Sequence, residues 1–207
     1  MYFIPNHVYH VYNRGNNKQR IFFQEKNYAF FLEKINKQLS PSCEMLCWCL
    51  MPNHFHLLVY ATNKSCIERN SFGGKPMQEF AYQIGVLLSS YSQAINKQNS
   101  TTGSLFQQKT KAKCVYGQDA SGGLKGYGSK TNPLITCLHY IHQNPWKAKL
   151  VNKIEDWEYS SFREYMGGTT PLKCNKELLL EMAGYDGSNL YEDSYAVIDT
   201  EVLGDGW

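Results

Sequence analysis

Hydrophobic and polar positions change period along the chain in a way that predicts alternating strands and helices. The stretch His7-Val8-Tyr9-His10-Val11-Tyr12-Asn13 is rich in β-branched and aromatic residues and reads as a strand, followed by a turn at Arg14-Gly15-Asn16-Asn17. From Lys26 to Leu39 the period becomes helical, with Tyr28, Phe31, Leu32, Ile35 and Leu39 on one face, and Ser40-Pro41-Ser42 stops it. Two apolar runs, Glu44 to Met51 and His54 to Ala61, flank Pro52-Asn53 and read as a hairpin. Residues 62–76 are polar and glycine-bearing, which predicts a loop. Met77 to Asn96 carries a second helical stripe, and Leu105 to Tyr116 reads as a further strand. Residues 117–130 hold five glycines and read as a mobile loop. A third helix is predicted from Pro133 to Asn144, with Pro145 ending or kinking it. The order β-α-β-β-α-β-α predicts an α+β domain: an antiparallel sheet with flanking helices, of the split βαβ kind.

Composition narrows the class. With 207 residues, 43% hydrophobic and 19% charged, the chain has enough material for one domain with a real core. No apolar run approaches a membrane span and the first residues lack a secretory layout, so a cytoplasmic protein without a membrane partner is expected. Of the seven cysteines, Cys47 and Cys49 share a C-x-C spacing with Cys43 just before them, but no C-x-x-C pair exists. Buried thiols are the simpler reading and a structural zinc the alternative. The net charge of +3 hides an asymmetry: from Glu177 onward there are eight acidic residues and no Lys or Arg, leaving 21 basic and 10 acidic residues before it. A basic body suits a polyanionic partner; a solvated surface is the other reading.

The candidate chemistry begins in the second strand of the hairpin. His54 and His56 are two residues apart, so both imidazoles point to one face, while Phe55, Leu57 and Val59 point to the other, core-like one. Two imidazoles side by side are half a ligand set for a divalent cation; a structural or exposed pair is the competing reading. On the third helix Tyr140 lies off the apolar stripe of Leu134, Leu138 and Ile141, and Asn144 shares its face one turn on. A tyrosine hydroxyl beside an amide oxygen could meet a cation on the histidine pair, or these could be a half-buried tyrosine and a helix-ending asparagine.

The segment Met51-Pro52-Asn53-His54-Phe55-His56-Leu57-Leu58-Val59 resembles the histidine–hydrophobe–histidine motif of the HUH endonuclease superfamily. Four more segments resemble one branch of it, the single-tyrosine transposases, including those associated with repetitive extragenic palindromes. They are His10-Val11-Tyr12-Asn13-Arg14-Gly15-Asn16, Leu105-Phe106-Gln107-Gln108-Lys109, Tyr140-Ile141-His142-Gln143-Asn144-Pro145-Trp146-Lys147-Ala148 and Asp156-Trp157-Glu158-Tyr159-Ser160-Ser161-Phe162. They occur in the family's order and cover roughly residues 1–165, leaving 166–207 as an acidic C-terminal tail or extension. The resemblance implies a ferredoxin-like or RRM-like HUH-nuclease core, with Tyr140 as nucleophile and His54, His56 and Asn144 as ligands of Mg²⁺ or Mn²⁺. It implies cleavage and rejoining of single-stranded or hairpin DNA through a 5′-phosphotyrosine. A retained hairpin-binding protein with little or no cleavage, or a metal hydrolase that uses no tyrosine, are the alternatives. Some relatives are homodimers that exchange the tyrosine helix; others act as monomers.

Candidate DNA contacts follow. Lys109, Lys111 and Lys113 alternate along the predicted last strand and would share a face, either along a phosphate backbone or as protection of a sheet edge. Arg14, Lys18 and Arg20 form a second candidate patch around the first turn. Tyr12, Phe106 and Trp146 are candidates for base stacking, although most aromatics in such a chain are core. An acidic tail over the basic surface would weaken DNA binding.

Overall fold

The computed structural model describes residues 1–71, 73–118, 124–125 and 132–199, with the backbone alone at 118, 124 and 125. Strand β1 (Val8–Arg14) leads through helix α1 (Glu25–Gln38) to β2 (Cys43–Met51) and β3 (His54–Ala61). A small hairpin, β4 (Glu68–Asn70) and β5 (Pro76–Gln78), precedes α2 (Glu79–Asn99). Then come β6 (Lys111–Gln118), the two-residue β7 (Leu124–Lys125) and α3 (Pro133–Lys147). Short helices α4 (Phe162–Tyr165), α5 (Lys176–Ala183) and α6 (Leu190–Asp193) follow. The main sheet has the order β2-β3-β1-β6-β7, with every paired neighbour antiparallel. The fold is the α+β class that the element order predicts.

Both faces of this sheet are covered, which departs from the sequence reading of a single core-like face. One face carries Tyr9, Val11, Trp48, Leu50, Phe55, Leu57 and Val59 and packs on α1 and α2 through Phe31, Ile35, Phe80, Leu87 and Tyr91. The opposite face carries Val8, Cys47, Cys49, Met51, Leu58 and Val115 and packs on α3 through Leu134, Cys137, Leu138 and Ile141. The histidine pair lies on this second face. Burial of so many large apolar side chains on both sides supplies most of the fold's driving force.

Several boundaries shift for identifiable reasons. Residues 62–76, expected as loop, hold β4 and the first residue of its partner β5, which runs on to Gln78. The strand expected from Leu105 begins only at Lys111, because residues 104–110 pair with the first turn instead: Asn16 N–H and Gln19 Nε2 donate to Leu105 O, and Gln107 N–H donates to Arg14 O. Helix α3 continues past Pro145 to Lys147, closed by the Ala148 N–H donating to Asn144 O. Most of the glycine-rich segment 117–130 lies outside the described residues; Gly117 and Gln118 pair with Lys125 and Leu124.

The segment 156–162 borders the β2 edge of the sheet. Leu50 N–H donates to Tyr159 O, Ser161 N–H to Trp48 O, and Trp157 Nε1 to Leu50 O, so the edge groups of β2 are satisfied. Beyond residue 166 the chain still enters the cores: Leu172 and Cys174 join the first, Leu179 and Leu190 the second. Gln143 Nε2, fully buried, donates to Ser194 O at 2.8 Å and Ala196 O at 2.9 Å. The described part of the acidic extension therefore packs on α3 and β2. No helix of the described residues is long and apolar enough to cross a membrane.

Candidate active site

A cleft of about 390 Å³ opens at one end of the second sheet face, lined by Tyr12, Arg14, Lys18, Asn53, His54, His56, Lys109, Lys111 and Tyr140 among others. The pairing of β1 with β3 sets Arg14 opposite His54 and Tyr12 opposite His56, and β6 sets Lys111 opposite Tyr12. Directly paired residues share a face, so the sheet register alone gathers imidazoles, a tyrosine ring and cations.

The turn after β1 and the segment before β6 build the walls. Gly15 is required by space: a Cβ there would lie 2.2 Å from Gln19 O. The chain then passes through left-handed conformations at Asn17 (φ 52°) and Lys18 (φ 59°), which carries Lys18 to the cleft. Asn13 ties the walls together. Its Oδ1 accepts from Arg14 N–H at 2.7 Å, and its Nδ2 donates to Gln107 O at 3.1 Å and Thr110 Oγ1 at 2.9 Å.

Helix α3 brings the tyrosine. Asn132 caps it, accepting from Leu134 N–H at 2.9 Å, and Tyr140 follows two turns later at the border of the apolar stripe. The Tyr140 ring centroid lies 5.7 Å from that of His56 and 6.1 Å from that of His10, edge to face with both. Asn144 Nδ2 donates to Tyr140 O at 2.8 Å, and the Asn144 side chain lies close enough to His54 and to the Tyr140 hydroxyl to bear on the titration of both. Thus His54, His56, Tyr140 and Asn144 assemble within one chain.

The electrostatics favour neutral imidazoles. Burial pushes His54 down to about 4, helped by the charge of Arg14 and opposed by the Asn144 side chain. Burial pushes His56 well below its ordinary value, helped by His10 and His54. A neutral imidazole is the form that binds a cation. His56 Nε2 is buried and has no hydrogen-bond partner among the described residues, a state that costs about 1–3 kcal/mol unless something fills it. No cluster of three or more His, Cys, Asp or Glu side chains that could hold a metal occurs among the described residues. A third protein donor beside the pair would be the amide oxygen of Asn144. The donors on hand, two imidazole nitrogens and an amide oxygen, suit a divalent cation with open positions. Tyr140 is raised above its ordinary value by burial, with the Asn144 side chain acting against it, so the phenol is protonated at neutral pH.

The remaining sequence candidates separate. Arg14, Lys18, Lys109 and Lys111 line the cleft, and Lys111 Nζ sits 5.9 Å from the Tyr12 ring centroid. Arg20 is exposed and does not line it. Lys113 is half-buried opposite His10, and Lys109 precedes the strand, so the three lysines are not one even row. Tyr12 faces the cleft, whereas Phe106 is buried near Phe31 and Phe55, and Trp146 packs on Tyr195. None of residues 177–199 lines the cleft, so the described part of the acidic extension does not cover it. The cysteines are free thiols; Cys43, Cys47, Cys49, Cys137 and Cys174 are buried. Sequence reading missed His10, whose Nε2 lies 2.8 Å from His56 Nδ1. Only the β1–β3 pairing shows that the two strands place these rings together.

No protein-family model matches the chain, and no curated protein matches it in sequence. Among solved structures it is similar to a REP-associated tyrosine transposase bound to a REP hairpin, with a TM-score of 0.55 and 13% identity over 81% of this chain and 83% of that one. At that identity the likeness is one of fold.

Proposed function

We propose that the chain cleaves and rejoins single-stranded or hairpin DNA, with Tyr140 as nucleophile and His54, His56 and Asn144 holding Mg²⁺ or Mn²⁺. The observation that carries this reading is the convergence of a tyrosine, two neutral imidazoles and four cationic side chains on one cleft, with the Asn144 amide next to His54 and Tyr140. The fold shared with a hairpin-bound transposase agrees with it. The cation, when bound, neutralises charge building on the non-bridging phosphate oxygens. Arg14, Lys18, Lys109 and Lys111 hold the backbone phosphates on either side of the scissile one. Asn144 orients the Tyr140 hydroxyl. The phenol oxygen bonds to phosphorus as the bond from phosphorus to the 3′ oxygen breaks. The phenol proton is lost to solvent and a proton is taken up by the 3′ oxygen. The 5′-phosphotyrosine keeps the phosphodiester's energy, so a second 3′-hydroxyl rejoins the strand without a nucleotide cofactor.

One observation favours a second reading, a retained hairpin-binding protein with little cleavage: burial raises Tyr140 and so disfavours its phenolate. A labelled single-stranded hairpin incubated with the protein and Mn²⁺ separates the two. The first reading expects a covalent adduct that survives denaturation and disappears in Tyr140→Phe and His54→Ala. Binding without an adduct supports the second. Cleavage that persists in Tyr140→Phe identifies a metal hydrolase instead, and an adduct on another tyrosine reassigns the nucleophile.

A further inference from the structure

We propose that His10 and Asn53 are positioning residues that hold His56 and His54 as Nδ1–H tautomers, leaving both Nε2 lone pairs to a divalent cation. The inference rests on the metal-dependent reading above and assigns a role to two residues outside the proposed ligand set.

A neutral imidazole carries one proton, and the nitrogen that carries it cannot coordinate. For His54 the choice is made by an amide. Asn53 Nδ2 donates to Lys18 O at 3.3 Å, which turns Asn53 Oδ1 toward His54 Nδ1 at 2.6 Å. An amide oxygen only accepts, so His54 carries its proton on Nδ1.

For His56 the choice is made by another imidazole. The His10 and His56 rings are 4.9 Å apart between centroids with planes 12° apart, and His10 Nε2 meets His56 Nδ1 at 2.8 Å. That is the edge-to-edge arrangement of an N–H···N bond, so one of the two nitrogens donates. Were His10 the donor, the His56 proton would sit on Nε2, a buried atom that has no hydrogen-bond partner among the described residues. With His56 as donor, the His10 proton sits on its own Nδ1; only this direction leaves His56 Nε2, on the cleft, as a lone pair that a cation can take. His10 is fully buried and does not line the cleft, so it acts through His56 rather than on substrate. Partners of this kind fix ring orientation and raise ligand basicity, and their loss costs about 10–100-fold in metal affinity.

The test compares the whole chain with His10→Ala, His10→Gln and Asn53→Ala. Long-range proton–nitrogen NMR of the histidine rings, with Mg²⁺ bound, reads the tautomers directly, with His54→Gln and His56→Gln assigning the signals. Both rings are expected as Nδ1–H in the parent chain, with His56 leaving that form in His10→Ala and His54 in Asn53→Ala. Titration with Mn²⁺ followed by EPR is expected to show affinity falling about 10–100-fold in both alanine variants. His10→Gln restores most of it, because the glutamine oxygen accepts from His56. Near-UV circular dichroism in EDTA should match the parent chain, which excludes a folding defect. Asn53→Ala, at a half-buried turn, carries the test if His10→Ala does not fold. A parent chain with His56 protonated on Nε2, or variants that bind Mn²⁺ as the parent does, overturns this inference alone. A parent chain that takes up no Mn²⁺ overturns it together with the metal-dependent reading.

Discussion

Burial holds five imidazoles neutral, at His10, His54, His56, His139 and His142, and only the first three gather at the cleft. His142 lies in the second core beside Ser161, whose Oγ is 2.8 Å from Nε2, and burial pushes it from an ordinary 6.5 down to about 3. A base whose folded value is depressed gives its full stabilisation above pH 6.5 and loses it as pH falls toward 3, because the unfolded chain takes up the proton first. One such group contributes about 1.4 kcal/mol per pH unit inside that window. Urea melts between pH 6 and 4 should therefore show a steep loss of stability, and His142→Gln should flatten the slope by about that amount. An unchanged slope would remove His142 from the account. At this scale periods of 2 and 3.6 place His54 with His56 and Tyr140 with Asn144 on shared faces, while only the family resemblance singled the four out as a site. The sequence did not show His10, whose partner is set by strand register, nor the turn at Gly15, whose need for a bare Cα comes from Gln19 O.

At the scale of elements, α3 carries the tyrosine on one side and is held from another. Gln143 joins it to the carbonyls of Ser194 and Ala196, Asn132 Nδ2 donates to Ala183 O, and Trp146 packs on Tyr195. The C-terminal extension is thus a brace for the helix that bears Tyr140. Gln143→Ala should cost about 1–3 kcal/mol, since it strands two carbonyls and leaves space in a buried place. Hydrogen exchange in α3 should rise while hairpin affinity, read by gel shift, stays within twofold. A large fall in affinity would mean that the brace shapes the cleft itself. The helix length was misread at Pro145 because a proline forfeits one hydrogen bond but does not prevent another turn near a helix end. The strand expected from Leu105 was misread because its apolar residues are buried under the first turn rather than in a ladder.

For the whole molecule, the basic and acidic parts of the chain are separated in space as they are in sequence. Arg14, Lys18, Lys109 and Lys111 stand around the cleft, while the acidic residues of α5 and α6 belong to the extension packed on α3 and β2. If these four cations hold DNA phosphates, the salt dependence of binding must follow them. Each contact to single-stranded DNA adds about 0.7 to the slope of log affinity against log salt. Lys109→Ala with Lys111→Ala should lower that slope by about 1.4, whereas Arg20→Ala should leave it unchanged. Equal effects from both would show diffuse attraction instead of a cleft. The topology itself was readable, because the β-α-β-β-α-β-α order admits few antiparallel arrangements. The covering of both sheet faces was not, because cysteines and a lone leucine between the histidines and the edge strand do not announce a second core. That second core also bears on descent. His56 is wedged among His10, Tyr12 and Tyr140 on a face closed by α3, so its ring is packing as well as chemistry. If the protein cuts DNA, a copy that had stopped doing so would still be under pressure to keep that imidazole, and its persistence in a lineage would record the fold before it recorded the reaction.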